Sequence, residues 1–418
     1  MAGAGVKRRT ALVVGGGIAG LSIAHYLLRE GIGVTVVDRD TDDAASWGNA
    51  GYLTPGFAVP LPEPAALRAG LKVLSPASPV QVSGIPDTNL LRFATRFLPR
   101  CSHRRWDHAL RAISPINRIA LQAHEELDAT GTAAAVVHRD PILVGFRDSA
   151  DLKAKLTELR HVVASGMPVR SDVLTASETR SLEPTLSAEV SCGMLLHDQR
   201  SIDPPMFLRL LRKTVLDEGG RILAGQDVVA LNVSGRGVAA RSADGAVTQA
   251  DIAVLACGAW LSPLARQFGV RQPVQAGRGY SFRMPPEANM PTRPTYLPTQ
   301  RVVCTPLADG ATRVSGIMEF ARPNHPQNPD RFTTIAAAAD PMLSTVDWTL
   351  RTEEWCGSRP CTADGLPLVG ASHSERVFVH GGHGMWGMTQ GPATAKLLAR
   401  QIATGNPPSE LAALNPLR

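Results

Sequence analysis

Cysteine is sparse in this chain: Cys101, Cys192, Cys257, Cys304, Cys356 and Cys361 are scattered over 418 residues with no C-x-x-C pair. That pattern excludes a secreted disulfide scaffold and a thiolate zinc clip, and a reducing, cytoplasmic setting is expected. No stretch approaches the ~18 uninterrupted apolar residues that a bilayer-crossing helix needs, so any membrane contact is expected to be peripheral, at the inner face. The eleven histidines form no H-E-x-x-H pattern, and no metal site is expected. His103, His108, His124 and His138 stand among polar residues and read as solvent-facing. Net charge is a moderate +6. Arg92, Arg96, Arg100, Arg104, Arg105 and Arg111 cluster without a nucleic-acid-binding motif, which favours a solvated basic face or an acidic-lipid contact over a polynucleotide partner. Lys7-Arg8-Arg9 before an apolar run resembles a twin-arginine export signal, but that run is the first strand of the unit described next, and its removal would destroy the unit.

What is present begins with Gly15-Gly16-Gly17-Ile18-Ala19-Gly20, between the apolar run Ala11 to Val14 and a helical stretch from Ile18 to Glu30. This is the order of a dinucleotide pyrophosphate site. Gly15 allows a tight turn, Gly17 a close approach of backbone to phosphate, and Gly20 close packing of helix on strand, with the helix N-terminus facing the anion. A second apolar strand, Val34 to Val37, ends at Asp38, about 20 residues past the glycines, where a carboxylate accepts hydrogen bonds from a ribose diol. Arg39 beside it is counted with the same site. The fingerprint alone leaves open whether the dinucleotide is FAD or NAD.

The length suits two interlocked domains. After the opening unit comes a proline-rich passage (Pro55, Pro60, Pro62, Pro64, Pro76, Pro79, Pro86), read as a covering loop. Helical spacing then recurs between Asn89 and Thr130 and from Leu152 to Gly166. Pro204 to Asp217 reads as a helix, Ile252 to Ala256 as a buried strand, and 270 to about 355 as antiparallel sheet with few helix signals. A strand from Arg376 to His380, a glycine turn and a helix from Pro392 to Ala403 follow. The expected division is a discontinuous nucleotide-binding domain of residues 1–88, 204–268 and 356–418, and a substrate domain of residues 89–203 and 269–355.

The turn Gly381-Gly382-His383-Gly384-Met385-Trp386-Gly387 offers a second set of amides at a helix N-terminus, and Gly382, Gly384, Met385, Trp386 and Gly387 are taken as cofactor-binding. Two remote cradles suit a long flavin nucleotide better than NAD, so FAD is expected. With this turn the sequence resembles the D-amino acid oxidase superfamily of FAD enzymes, most closely its bacterial D-amino acid dehydrogenase branch of the small-subunit type. The resemblance rests on VVGGGIAGLSIAHYL with VTVVDRD, on SWGNAGYLTPGFAVP, on VLACGAW, and on GSRPCTADGLPLVG followed by GGHGMWGMTQGPATAKLLA.

The resemblance implies an α/β protein, a Rossmann-type FAD-binding domain interleaved with an α+β substrate domain built on an antiparallel sheet. It implies Asn49, Ala50 and Gly51 as flavin contacts, Val228 near the adenine, and Cys257 and Gly258 near the pyrophosphate or ribityl chain. Arg359 takes the place of the carboxylate-binding arginine, where a guanidinium offers two parallel donors. Tyr280 is a second catalytic candidate, assisting the carboxylate. His383 is the third, although the family's mechanism needs no base once the amine is neutral, which leaves this histidine to position backbone around the flavin. Cys356 and Cys361 lie near a region where some relatives tether flavin covalently, but their spacing does not match. The implied activity is oxidation of a small amino or imino acid, a D-amino acid or proline derivative, by hydride transfer from Cα to flavin N5. A quinone or another protein is the expected electron acceptor, reached through the insertion from Pro60 to Arg111. A glycine- or sarcosine-type oxidase using oxygen and an FAD-binding scaffold without turnover are the alternatives.

Overall fold

The computed structural model describes residues 8–40, 44–64, 80–82, 88–138 and 140–418. Pro76, Pro79 and Pro86, the side chain of His138, and part of the insertion from Pro60 to Arg111 lie outside the described residues.

In the strand Thr10–Val14 every residue after Thr10 is buried. Ala11 and Val13 therefore face one core and Leu12 and Val14 another. The first pair packs with Leu21, Leu27, Val254 and Leu398, the second with Leu231, Val238, Ala253 and Leu255. Burial on both faces suits the interior of a parallel sheet. That sheet runs in the order Arg221–Leu223, Gly33–Val37, Thr10–Val14, Ile252–Leu255, Val377–Gly381, Leu368–Ala371, parallel except for the last pair. The helices Ile18–Arg29 and Gly387–Thr404 cover one face, and the meander Val228–Ser234, Gly237–Ser242, Val247–Ala250 covers the other. Each fully buried Leu, Ile or Val on these faces contributes roughly 1.5–3 kcal/mol relative to exposure.

The glycine turn has no spare room. Gly15 has φ +108°, and a Cβ there would lie 2.4 Å from the Ala256 carbonyl oxygen. A Cβ on Gly20 would lie 1.7 Å from the carbonyl oxygen of Gly15. The helix is thus seated directly on the turn.

The final helix begins at Gly387, five residues before the expected Pro392, which lies inside it. Proline cannot donate to the Met388 carbonyl four residues back. That carbonyl instead meets His124 Nε2 at 2.8 Å. His124 is only 1% exposed, which corrects the solvent-facing reading, and burial pushes its pKa down to about 4, so the neutral ring donates through Nε2. His103 and His108 are exposed.

The second sheet is mixed, in the order Thr352–Thr362, Val274–Met284, Thr312–Phe320, Val302–Pro306, Thr295–Leu297, Ile142–Phe146, Cys192–Leu196, Ser171–Thr175, with Val80–Val82 pairing beside Thr312–Phe320. Its longest pairings are antiparallel, whereas Thr295–Leu297 runs parallel to Ile142–Phe146. A helix, Asp330–Ala339, stands where only sheet was expected, and it buries Phe332, Ile335, Ala336 and Ala339 against Tyr280 and Phe282. The strand Thr352–Thr362 pairs with Val274–Met284 on both sides of residue 355, so the expected boundary there falls within one continuous strand. The long helix His103–Leu127, expected with the substrate domain, puts Ala109, Ile113, Ile116, Ala123 and Leu127 into the same core as the nucleotide-binding helices.

Gly20→Ala is expected to lower the free energy of unfolding by about 3 kcal/mol, because backbone rather than a flexible side chain occupies the methyl position; urea denaturation followed by circular dichroism measures this.

Candidate cofactor and substrate site

The parallel strands end together, and their carboxyl ends, through Val14, Val37, Ala256 and Gly381, border a single cleft. Ligands in open α/β sheets bind at this end. The helix Ile18–Arg29 starts here without a side-chain cap and with no acid in its first turn. Its Ile18 amide donates to Ser46 Oγ at 3.2 Å, and the amides that follow are the natural cradle for a phosphate.

Asp38 is half-buried on the same cleft, and its Oδ2 is a buried oxygen with no hydrogen-bond partner. Burial raises its pKa, partly offset by the amides of Gly16, Arg39 and Asp40. An orphaned carboxylate oxygen at a strand end fits the missing ribose diol. Gly16 is necessary for a reason the motif reading overlooked: a Cβ there would lie 2.5 Å from Asp38 Oδ2. Gly17, by contrast, meets only Ala44 Cβ and Ser46 Oγ at 3.5 Å, so within the protein itself a small side chain fits, and the space in front of it is the ligand's. Arg39 lies over the Trp260 ring, 4.1 Å from its centroid.

The cleft brings together Gly15, Gly17, Ile18, Ala19, Asp38, Arg39, Asn49, Val228, Cys257, Gly258, Arg359, His383, Gly384 and Gly387. Gly20, Ala50, Gly51, Gly382, Met385, Trp386 and Tyr280 do not border it. Gly20 acts through the packing described above. Gly51 (φ +74°) donates its amide to Asn49 Oδ1 at 2.9 Å, and Ala50 offers its carbonyl to Thr305 Oγ1. Gly48 does the same for Ser281 Oγ at 2.9 Å, so two hydroxyls of the second sheet hold this segment. Gly382 (φ +73°) shapes the turn against Thr362. Met385 packs with Phe93, Met318 and Phe320, and Trp386 Nε1 donates to the Val59 carbonyl at 2.7 Å, pinning the proline-rich cover.

Tyr280 is fully buried. Its hydroxyl donates to Glu319 Oε2 at 2.6 Å, and Glu319 is also bound by Arg278 and Arg331. The phenol is therefore committed to a structural ion network. Arg359 has the opposite character. It is half-buried on the cleft, lies flat over Gly279 (a Cβ there would be 2.2 Å from its Cζ), and has no hydrogen-bonded or acidic partner among the described residues. Burial lowers its pKa, and only the thiols of Cys361 and Cys356 oppose that. A cavity-facing guanidinium with no counter-charge is an anion site.

His383 is 4% exposed and burial pushes its pKa well below the usual value, so it is neutral. The Cys257 thiol is pushed up to about 12 by burial, as is that of Cys361, and Cys356 is raised. Neither Cys356 nor Cys361 borders the cleft. Ser46, Gly16, Gln226, Asp227, Trp260 and Pro360 border it without having been singled out. Of these Ser46, Gly16, Trp260 and Pro360 lie within the quoted motifs, whereas Gln226 and Asp227 carried no signal.

A family model described as FAD dependent oxidoreductase (DAO) matches residues 10–401. The chain belongs to that family, whose cofactor is FAD. Its sequence is 28% identical to a D-amino acid dehydrogenase of Vibrio vulnificus (strain YJ016) over 416 residues, 98% of this chain and 99% of that protein. In fold it is similar to glycine oxidase from Geobacillus kaustophilus, with TM-score 0.72 and 18% identity over 98% of this chain and 99% of that one. It is also similar to L-proline dehydrogenase from P. horikoshii, with TM-score 0.68 and 16% identity over 98% and 97%. The expected Rossmann-type α/β architecture is that of the structure. No helix among the described residues is long and apolar enough to cross a membrane.

Asp38→Ala is expected to weaken FAD binding about tenfold to hundredfold, the cost of losing charge-assisted hydrogen bonds; release of the 450 nm chromophore on serial dilution and calorimetric titration of the apoprotein measure it.

Proposed function

We propose that this enzyme oxidises a small amino or imino acid, a D-amino acid or a proline derivative, and that Arg359 anchors the substrate carboxylate. The carrying observation is the uncompensated Arg359 guanidinium at the cleft. Its neighbours Arg278 and Arg331 are matched by buried Glu319, so Arg359 alone of the three is free to take a ligand's charge. Its fork accepts a carboxylate through two parallel hydrogen bonds and so fixes direction as well as distance. FAD, when bound, supplies the two-electron acceptor for the Cα hydrogen and its electron pair.

The chain's own contribution is positioning. Gly279 gives the guanidinium a flat floor, and the strand pairing Gly277 with Arg359 sets its height above the second sheet. Ser281 and Thr305 tether the Gly48–Ala50 segment from the same sheet. Trp386, bound to Val59, fastens the proline-rich passage to the terminal glycine turn. Tyr280 acts from behind, through Glu319, rather than on the substrate.

We read the electron acceptor as a quinone or a partner protein rather than oxygen. Leu91 and Leu98 are 57% and 54% exposed beside exposed Arg92 and Arg96, which supports a peripheral contact with an acidic membrane surface at the inner face.

Anaerobic mixing of the yellow holoprotein with a panel of D- and L-amino acids, proline, glycine and sarcosine is expected to bleach the flavin with a D-amino acid or an imino acid. Bleaching by glycine or sarcosine with rapid reoxidation by air would move the assignment to an oxidase, and colour that persists with every compound would leave a scaffold without turnover. Arg359→Ala is expected to raise KM roughly hundredfold. Gly279→Ala, which displaces the same guanidinium, is expected to act in the same direction with FAD content unchanged.

A further inference from the structure

Two histidines behind the terminal glycine turn share one hydroxyl. His380 Nδ1 lies 3.0 Å from the Ala19 carbonyl oxygen and its Nε2 2.9 Å from Thr394 Oγ1. His383 Nε2 lies 2.9 Å from the same Thr394 Oγ1, and the rings stand edge to face with centroids 5.1 Å apart. All three residues are buried, with His380 and Thr394 at 0% exposure.

Proton positions follow by elimination. The Ala19 carbonyl only accepts, so His380 Nδ1 carries a proton. Burial pushes the His380 pKa down to about 4 against the opposing pull of the Ala19 and Gly391 carbonyls, with no acid beside it, so the ring is neutral and, with its one proton on Nδ1, its Nε2 is an acceptor. Thr394 has one hydroxyl proton. The Gln390 and Gly391 carbonyls near it belong to the helix Gly387–Thr404, where backbone amides one turn on supply their donors. His380 Nε2 has no other source, so the hydroxyl donates there. Thr394 Oγ1 is then left as an acceptor toward His383, whose Nε2 must be the protonated nitrogen. The remaining nitrogen, His383 Nδ1, has no protein partner among the described residues, and His383 borders the cleft.

We propose that His380 and Thr394 are positioning residues that lock His383 in the Nε2–H tautomer, so that its Nδ1 receives an N–H of the bound cofactor or substrate. The inference rests on the cleft being the flavin and amino-acid site. It assigns His383 a role different from a base: a fixed acceptor that selects a ligand presenting a donor there. The donor is either the imide N–H of the flavin ring or the amino group of the substrate, and both offer the same chemistry. The relay starts at Ala19, within the pyrophosphate turn, so one hydrogen-bond chain joins the two cradles.

Nitrogen-15 spectra of histidine-labelled holoprotein at pH 7 test this, with His380→Gln and His383→Phe variants assigning the ring signals. His383 is expected to carry its proton on Nε2 and His380 on Nδ1. Thr394→Val, which keeps the shape and removes the hydroxyl, is expected to mix the His383 tautomers, and Thr394→Ser to restore the parent spectrum. Protonation of His383 on Nδ1 or on both nitrogens in the parent protein overturns the proposal, as does an unchanged spectrum in the valine variant. A second pair of measurements identifies the donor. A rise of about tenfold in the FAD dissociation constant of His383→Phe with KM unchanged assigns it to the flavin, and a comparable rise in KM with FAD affinity unchanged assigns it to the substrate amine. If neither moves, the acceptor role is overturned. The tautomers are read without added substrate, so a wrong substrate leaves this result standing, whereas a purified protein without flavin colour defeats the functional reading and leaves the tautomers to be read on their own.

Discussion

The Gly15 carbonyl lies so close beneath Gly20 that no side chain can stand between them. This contact holds the helix Ile18–Arg29 against the end of the central strand and turns its uncapped amides into the cleft. It also sets the distance to the next strand end, where Asp38 keeps an oxygen without a partner. A structure that tolerates a buried, unmatched carboxylate oxygen has left room for a donor from outside itself.

The same logic separates the arginines of the second sheet. Arg278 and Arg331 both pair with Glu319, to which Tyr280 also donates, and together these groups form a polar network in an otherwise apolar layer. Arg359, one strand over from Arg278, is outside that network. No carboxylate among the described residues stands beside it. The strand-end side of the cleft is built from backbone and the Asp38 carboxylate, the side on the second sheet carries the Arg359 guanidinium, and the hydroxyls of Ser281 and Thr305 tie the Gly48–Ala50 segment to that sheet.

The strand, turn, helix, strand and terminal acid from Ala11 to Asp38 were legible because each signal is local: spacing, glycine and burial period all lie within about 30 residues, the length of one βαβ unit. The final helix was legible only in part. Pro392 marks a first turn in most helices, and its tolerance inside this one depends on His124, which polar neighbours in the sequence disguised as a surface residue. Tyr280 shows the same limit. Its partner Glu319 lies 39 positions away on the adjacent strand, and nothing near Gly279-Tyr280-Ser281 announces it. The helix Asp330–Ala339 had a readable pattern in Phe332, Ile335, Ala336 and Ala339, overshadowed by the alternation around it. Met385 and Trp386 were placed in the right turn, but which way a side chain leaves a turn is decided by what packs there.

The hydrogen bond from His124 to Met388 joins residues 264 positions apart and reaches a residue that itself borders the cleft. It replaces a rung of the helical ladder with a rung from another helix. The long helix His103–Leu127 and the cleft-bordering end of the last helix are thereby tied together, and a shift of the first relative to the second would leave an unmatched carbonyl in the protein interior. One wall of the cleft is thus braced from behind, by an imidazole that does not itself border it.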